Sequence, residues 1–180
     1  MLKTNHHWLR AWVLLALLLG VNAQASSLCA GNENTAITAT TPSADFSDNG
    51  DGTVTHHTTG LIWQRCSLGQ SWDGADCTGT ATAFTWQQAL AAATQDALAG
   101  FSDWRLPNKN ELASIVEHRC YGPAINDQLF PDLPSVPVYV SASAQVHNEG
   151  IAWSVNFNSG YVYYNLKDSP IHVRLVRAGQ

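Results

Sequence analysis

The residues best suited to chemistry are aromatic and amide side chains toward the C-terminal end of the chain. Asn156, Asn158, Tyr161 and Tyr163 lie close together in sequence, and Trp72 offers another ring in a loop rich in glycine and aspartate. Aromatic rings can stack on sugar faces, and amides can form hydrogen bonds with sugar hydroxyls. These five residues are therefore candidate contacts for a glycan. The alternative is that the tyrosines and Trp72 cover the hydrophobic core, the commoner position for such side chains.

Catalytic patterns are missing from the sequence. It contains no Gly-x-Ser-x-Gly motif, no His-Glu-x-x-His motif and no glycine-rich phosphate loop. The histidines beyond residue 25 do not have metal-binding spacing: His56, His57, His118, His147 and His172. We therefore predict a non-enzymatic protein that needs no metal or cofactor.

The acidic turn from Asp45 to Gly52 has two interpretations. Asp45, Ser47 and Asn49 match the first half of an EF-hand-like calcium loop, but the twelfth position holds His56 where glutamate is expected. The Asn-Gly and Asp-Gly dipeptides in the turn are also strong hairpin signals. The sequence favours a hairpin and leaves calcium binding open.

The first 25 residues are typical of a secretory signal peptide. Lys3 and Arg10 flank the start of an apolar run, and Ala23-Gln24-Ala25 fits a cleavage site. Cleavage would leave 7 basic and 14 acidic residues, a formal charge of −7, because the signal holds two basic residues and no acidic one. That balance argues against binding to nucleic acid. We predict export to the periplasm, medium or cell surface, with no membrane span.

The four cysteines of an exported chain predict two disulfides. Three pairings are possible, and we favour Cys66–Cys77 together with Cys29–Cys120. The first would close a short loop rich in glycine and aspartate, and the second would fasten the N-terminal arm to the end of a predicted helix.

Hydrophobic periodicity predicts an α+β fold with two helices packed on a mostly antiparallel sheet. Thr85 should cap a first helix that ends at Gly100, and Asn108 should cap a second over about residues 109–118. Alternating patterns predict half-buried strands at 54–57, 61–64, 138–143, 151–157, 161–164 and 171–175. In the last of these strands, Arg174 would lie opposite the apolar face. The turn at residues 158–160 would display the candidate tyrosines.

A rigid segment joins the two predicted helices. Trp104 and Leu106 alternate with Arg105, which predicts a short strand with one buried face, and Pro107 fixes the backbone that follows. Arg105 should bind a carboxylate or carbonyl groups, and Glu111 should complete the cap of the second helix. We interpret this motif as architectural.

The run Asp-Trp-Arg-Leu-Pro-Asn, followed by Glu-Leu, resembles the signature of the Lcl C-terminal domain family, named after a module of a bacterial collagen-like adhesin. Further segments resemble that family in the same order: 52–55, 59–66, 85–90 and 173–177. The organisation expected from these matches is a signal peptide at 1–25, an N-terminal arm at 26–44 and an Lcl C-terminal-like domain at 45–180. The Arg-Leu-Pro…Glu core is also similar to formylglycine-generating enzymes and C-type-lectin-like domains, which implies a disulfide-stapled, C-type-lectin-like fold.

The adhesin module of this family binds sulfated glycans, so the resemblance implies an adhesin-like binding module. The acidic charge favours a neutral glycan or another cell-surface polymer instead, because sulfated ligands need a basic surface. The second hypothesis is a structural or protein-interaction domain of the bacterial envelope, with a surface protein or another copy of the chain as its partner.

Overall fold

A computed structural model describes residues 28–179. The signal peptide predicted at residues 1–25 and its cleavage site lie outside the described residues. Within the described range, no helix is both long and apolar enough to cross a membrane.

Strands dominate the described chain, in two sheets and two short ribbons. The strands are β1 (Asn32–Glu33), β2 (Phe46–Asp48), β3 (Thr53–His56), β4 (Leu61–Gln64), β5 (Gln70–Trp72), β6 (Cys77–Gly79), β7 (Ala83–Phe84), β8 (Cys120–Tyr121), β9 (Val138–Gln145), β10 (Asn148–Asn156), β11 (Tyr161–Leu166), β12 (Ile171–His172) and β13 (Val176–Ala178). One sheet has the order β11-β10-β9-β12-β7 and the other β13-β4-β3-β2, while β1–β8 and β5–β6 form the ribbons. Among these strands only β9 and β12 pair in parallel, so the predicted mostly antiparallel architecture is confirmed.

Two short helices, α1 (Trp86–Ala93) and α2 (Lys109–Ala113), complete the α+β fold. Both begin at the predicted caps, each with a full capping box. Both end earlier than predicted. Thr94 and Ser114 follow them, and each hydroxyl donates to a carbonyl three residues back, which competes with the backbone ladder and tightens the last turn.

The helices lie against opposite faces of the five-stranded sheet. Tyr139 of β9 pairs with Val155 of β10, and both belong to the buried cluster that includes Leu112 of α2. The next residue, Val140, points to the other face and packs in the cluster that contains Ala89 of α1. The sheet is therefore covered on both sides.

Because helices cover both faces of this sheet, some residues that were predicted to be exposed on half-buried strands are in fact buried. Ala152 and Ser154, expected on a polar face of β10, are buried, while Trp153 between them is only half-buried. Of the predicted last strand, 171–175, only Ile171 and His172 form a strand, β12; β13 begins after it, at Val176, and belongs to the other sheet. Arg174 lies in the crossing between them and is fully buried, because residues on both sides of this crossing pack into the core.

The segment between the helices has the predicted buried face but does not form the predicted strand. Trp104 and Leu106 are buried, although the segment forms only an isolated bridge, Arg105 to Val176, instead of a strand. Both Nη atoms of Arg105 donate hydrogen bonds to the Glu111 carboxylate, at 2.8 and 2.7 Å. The guanidinium lowers the pKa of the Glu111 carboxyl. Glu111 also accepts the backbone N–H of residue 108 at 2.8 Å, so one carboxylate fastens the segment to the start of α2.

Both favoured disulfides, Cys29–Cys120 and Cys66–Cys77, are formed, each with its Cα atoms 5.4 Å apart. The first tethers the N-terminal arm beside the β1–β8 ribbon. A second attachment, not foreseen from sequence, is the fully buried carboxylate of Glu117, which accepts hydrogen bonds from the backbone and hydroxyl groups of Thr40 and Thr41.

Candidate functional site

The candidate tyrosines lie on β11, at the outer edge of the five-stranded sheet. Tyr161 pairs with Asn156 and Tyr163 pairs with Ser154, so the two rings point to the same face, about 6.7 Å apart along the strand. They are 67% and 45% exposed. The two tyrosines are therefore exposed and do not cover the core, which was the alternative interpretation.

The turn that carries Asn158 is fixed to the domain. Asn158 N donates to Asn156 Oδ1 at 2.8 Å, and Asn158 O accepts the N–H of Gly122 at 2.9 Å. Gly160 has φ +76°, and a Cβ there would come within 3.0 Å of Val116 Cγ1, so glycine is required for this close approach. The turn therefore holds the start of β11 in a defined position.

The opposite face of the same hairpin carries a second aromatic group. Trp153 and Tyr164 pair across β10 and β11 and meet edge to face, with ring centroids 6.3 Å apart. Lys109 at the start of α2 places its Nζ 4.8 Å from the Trp153 ring centroid. Tyr164 is 60% exposed, so β11 presents aromatic surface on both faces.

Trp72 lies apart from the tyrosines, on the β5–β6 ribbon. The guanidinium of Arg65 sits 4.0 Å from the centre of its ring. Trp72 also forms one wall of a cavity of about 200 Å³, together with Asp51, Gly52 and Asp96. The structure therefore places Asn156, Tyr161 and Tyr163 on one face of the hairpin and Asn158 in its turn, beside Gly122. It assigns Trp72 to a different surface.

The acidic turn forms the favoured hairpin, between β2 and β3. Asp48 Oδ1 accepts the N–H of Gly50 at 2.9 Å, and its other oxygen pairs with Arg65. Asp51 Oδ1 accepts both the N–H and the hydroxyl of Thr53. These carboxylate oxygens serve the turn and its anchoring to Arg65.

Basic side chains beyond residue 25 are held by other groups instead of forming a patch. Four arginines form ion pairs with carboxylates, in these combinations: Arg65–Asp48, Arg105–Glu111, Arg119–Glu33 and Arg177–Asp103. Lys109 and Lys167 lie over the rings of Trp153 and Trp86, at 4.8 and 4.1 Å. The remaining arginine, Arg174, is fully buried. The surface described here thus has few free cations for a polyanion.

Arg174 is an architectural residue that the sequence did not reveal. Its Nη1 donates to the carbonyl oxygens of Gln64 and Arg65, and its guanidinium lies 4.8 Å from the Phe130 ring and 5.5 Å from the Tyr139 ring. Burial lowers the pKa of this guanidinium. The local sequence gave no signal for this burial, because an arginine that alternates with Val173 and Leu175 normally points to an exposed strand face.

The sequence matches one known family. A model of the Lcl C-terminal domain matches residues 52–177. The chain belongs to the Lcl C-terminal domain family. The matched range begins at the β2–β3 turn and ends within β13, so it contains both helices, the segment between them and the tyrosine hairpin. No curated protein matches the sequence.

Family membership places the tyrosine hairpin inside an adhesin-associated type of domain. Both disulfides fit the oxidising conditions outside the cytoplasm. The N-terminal arm, by contrast, precedes the matched range and is attached to it through Cys29 and Glu117.

Proposed function

We propose that this Lcl C-terminal domain is an exported, non-enzymatic binding module that recognises a neutral glycan or cell-surface polymer. Its contact surface is the β11 face that carries Tyr161 and Tyr163, with Asn156 and Asn158 at the margin. The observation that carries the proposal is the exposure of both rings on one face of an anchored strand.

Sugar recognition suits this surface because it combines flat apolar rings with hydrogen-bonding amides. Two rings on one strand face, carried by backbone positions about 6.7 Å apart, could contact neighbouring sugar units of a polymer. The fixed turn at Asn158 and Gly160 supports the proposal as well, since a rigid platform loses little conformational entropy on binding.

A neutral ligand is favoured over a sulfated one by the placement of charge. Sulfated polymers bind to clusters of lysine and arginine side chains, which displace the cations bound to the polymer. Here four arginines are paired with carboxylates and Arg174 is buried. In this respect the proposal differs from the sulfated-glycan binding of the adhesin that names the family.

The non-enzymatic part of the proposal is supported by the cysteines. Formylglycine-generating enzymes, whose motif the segment at 105–111 resembles, work through reactive cysteines, whereas all four cysteines of this chain are joined in disulfides. The similarity is instead one of fold, and we include a C-type-lectin-like topology in the proposal.

The experiment is a glycan array probed with disulfide-intact protein, followed by calorimetric titration of each glycan that binds. Tyr161→Ala and Tyr163→Ala together should weaken binding by roughly tenfold or more, since each aromatic contact contributes about 0.5–1.5 kcal/mol. Tyr121→Ala is the matched control, because Tyr121 is a 53% exposed tyrosine on β8, which is not part of the five-stranded sheet.

Two outcomes would contradict the proposal. One is an array with no bound glycan, and the other is glycan binding that the double tyrosine variant leaves unchanged. Trp72→Ala separates the two aromatic surfaces, because loss of binding in that variant alone would move the site to the cavity beside β5.

A further inference from the structure

An unprotected sheet edge is the feature of this structure that its proposed glycan binding does not explain. β11 ends the five-stranded sheet, and no residue within 28–179 pairs with its outer side. A strand at a sheet edge has unpaired N–H and C=O groups on that side, which form a template for another strand. Soluble proteins usually protect such an edge with charged residues, proline or a bulge.

β11 has none of these protections. Its sequence, Tyr-Val-Tyr-Tyr-Asn-Leu, contains no charge and no proline, and its pairing with β10 runs without a register shift. Large apolar side chains are also concentrated there. Nine are well exposed in the described part of the chain, and five of the nine lie on this one strand: Tyr161, Val162, Tyr163, Tyr164 and Leu166.

We propose that β11 pairs antiparallel with β11 of a second copy of this chain, so that the two five-stranded sheets become one continuous sheet. A two-fold axis normal to the sheet makes this edge complementary to itself, since each strand offers the same alternating donors and acceptors. The axis also keeps each face on its own side. Val162 and Tyr164 of one copy therefore meet the same apolar face of the other.

The charge distribution favours association of two copies at this edge over association at other parts of the surface. The chain beyond residue 25 has a formal charge of −7, so two copies repel one another over most of their surfaces. β11 contributes no charge to that repulsion. Added salt should therefore strengthen the association by screening the remaining charge.

The available area predicts a dimer of modest affinity. Taking roughly 200 Å² for a whole tyrosine side chain, the exposed 60% of Tyr164 supplies about 120 Å² per copy. Val162, Leu166 and the strand edge add to this, but the total should stay below the roughly 1,000 Å² of a stable specific interface, so the dimer is weak and transient. Association should thus depend on protein concentration.

Pairing at the edge leaves the proposed glycan surface open. Tyr161 and Tyr163 project from a sheet face and not along the strand edge, and the two-fold axis places both pairs of rings on the same face of the joined sheet. A dimer would then present two tyrosine surfaces side by side. The self-pairing does not depend on glycan binding, and each can fail without the other.

The test is sedimentation velocity of the disulfide-intact protein over a wide range of concentration, without glycan. We expect a monomer–dimer equilibrium that strengthens with salt. The variant Val162→Lys with Tyr164→Lys should weaken it by roughly tenfold or more, because lysines on both strands would face each other in the paired edge. Tyr121→Lys, the matched control, should dimerise like wild type.

Hydrogen exchange distinguishes strand pairing from loose contact of side chains. Amides in β11 should exchange more slowly as the protein concentration rises, while those of β8 should not change. A protein that remains monomeric at every concentration overturns the proposal, even if the tyrosines bind polysaccharide. So does a dimer that persists in the double lysine variant, or one whose β11 amides gain no protection.

Discussion

Replacing Glu117 by glutamine should detach the central part of the N-terminal arm. The Glu117 carboxylate is fully buried and accepts the N–H of Thr40 at 2.9 Å, the N–H of Thr41 at 2.7 Å and the N–H of Arg119 at 2.8 Å. Glutamine has nearly the same shape, but one acceptor oxygen becomes an NH₂ donor. At least one of these N–H groups would then face another donor.

The cost can be worked from these contacts. A hydrogen bond to a charged group contributes about 1.5–3 kcal/mol, and a buried donor left without a partner costs about 1–3 kcal/mol. Glu117→Gln should therefore lower the free energy of unfolding by roughly 3–5 kcal/mol. For a domain of this size, that corresponds to a fall in Tm of about 10 °C or more.

Calorimetry measures the loss of stability, and hydrogen exchange locates it. The amides of Thr40 and Thr41 should lose protection, while the Cys29–Cys120 disulfide keeps the start of the arm attached. Glu33→Gln is the control on the same arm, because the ion pair of Glu33 with Arg119 is partly exposed and such pairs contribute only about 0–1 kcal/mol. A Glu117→Gln protein that melts like wild type, with Thr40 and Thr41 still protected, would refute this reasoning.

Three further outcomes are expected. Trp104→Ala should cost roughly 3–5 kcal/mol of stability, measured by denaturant unfolding, because the ring is buried and its Nε1 donates to Leu98 O at 3.0 Å. Arg105→Ala should cost only about 1 kcal/mol, since its pair with Glu111 is half-exposed; a loss as large as that of Trp104→Ala would contradict this. Burial would raise the pKa of the Glu117 carboxyl, but hydrogen bonds from the arm outweigh burial and lower it. The stability that this carboxylate contributes is therefore present above the unfolded pKa of about 4.3 and should disappear as pH falls through the lower folded pKa. The measurement is Tm against pH, which should drop in acid for wild type and much less for Glu117→Gln.

Local signals in the sequence were sufficient for the helix starts and the hairpins. Thr85 and Asn108 cap the helices as predicted, because a capping box depends on residues only three positions apart. The turn at 158–160 and the strands on either side of it also form as predicted. These features depend on neighbours in the chain, which a single sequence shows directly.

Features that depend on distant contacts were not predicted. Arg174 was expected on an open strand face, yet it is buried between elements that are far away in the sequence. Glu117 falls within the predicted second helix, 109–118, and no local signal marks it, because its partners lie 76 and 77 positions earlier. Asn156, Asn158, Tyr161 and Tyr163 lie on one hairpin because they are close in sequence, whereas Trp72 lies on another surface because its position depends on how the β5–β6 ribbon packs.

The central claim, neutral-glycan binding by the tyrosine face, is tested most directly by one titration series. Wild type and the Tyr161→Ala, Tyr163→Ala double variant are titrated with a neutral and a sulfated polysaccharide, each at low and high salt. We expect wild type to bind the neutral polymer with little salt dependence, because few ion pairs form, and the double variant to bind it at least about tenfold more weakly. Tight, steeply salt-dependent binding to the sulfated polymer, unaffected by the loss of both tyrosines, would contradict the claim.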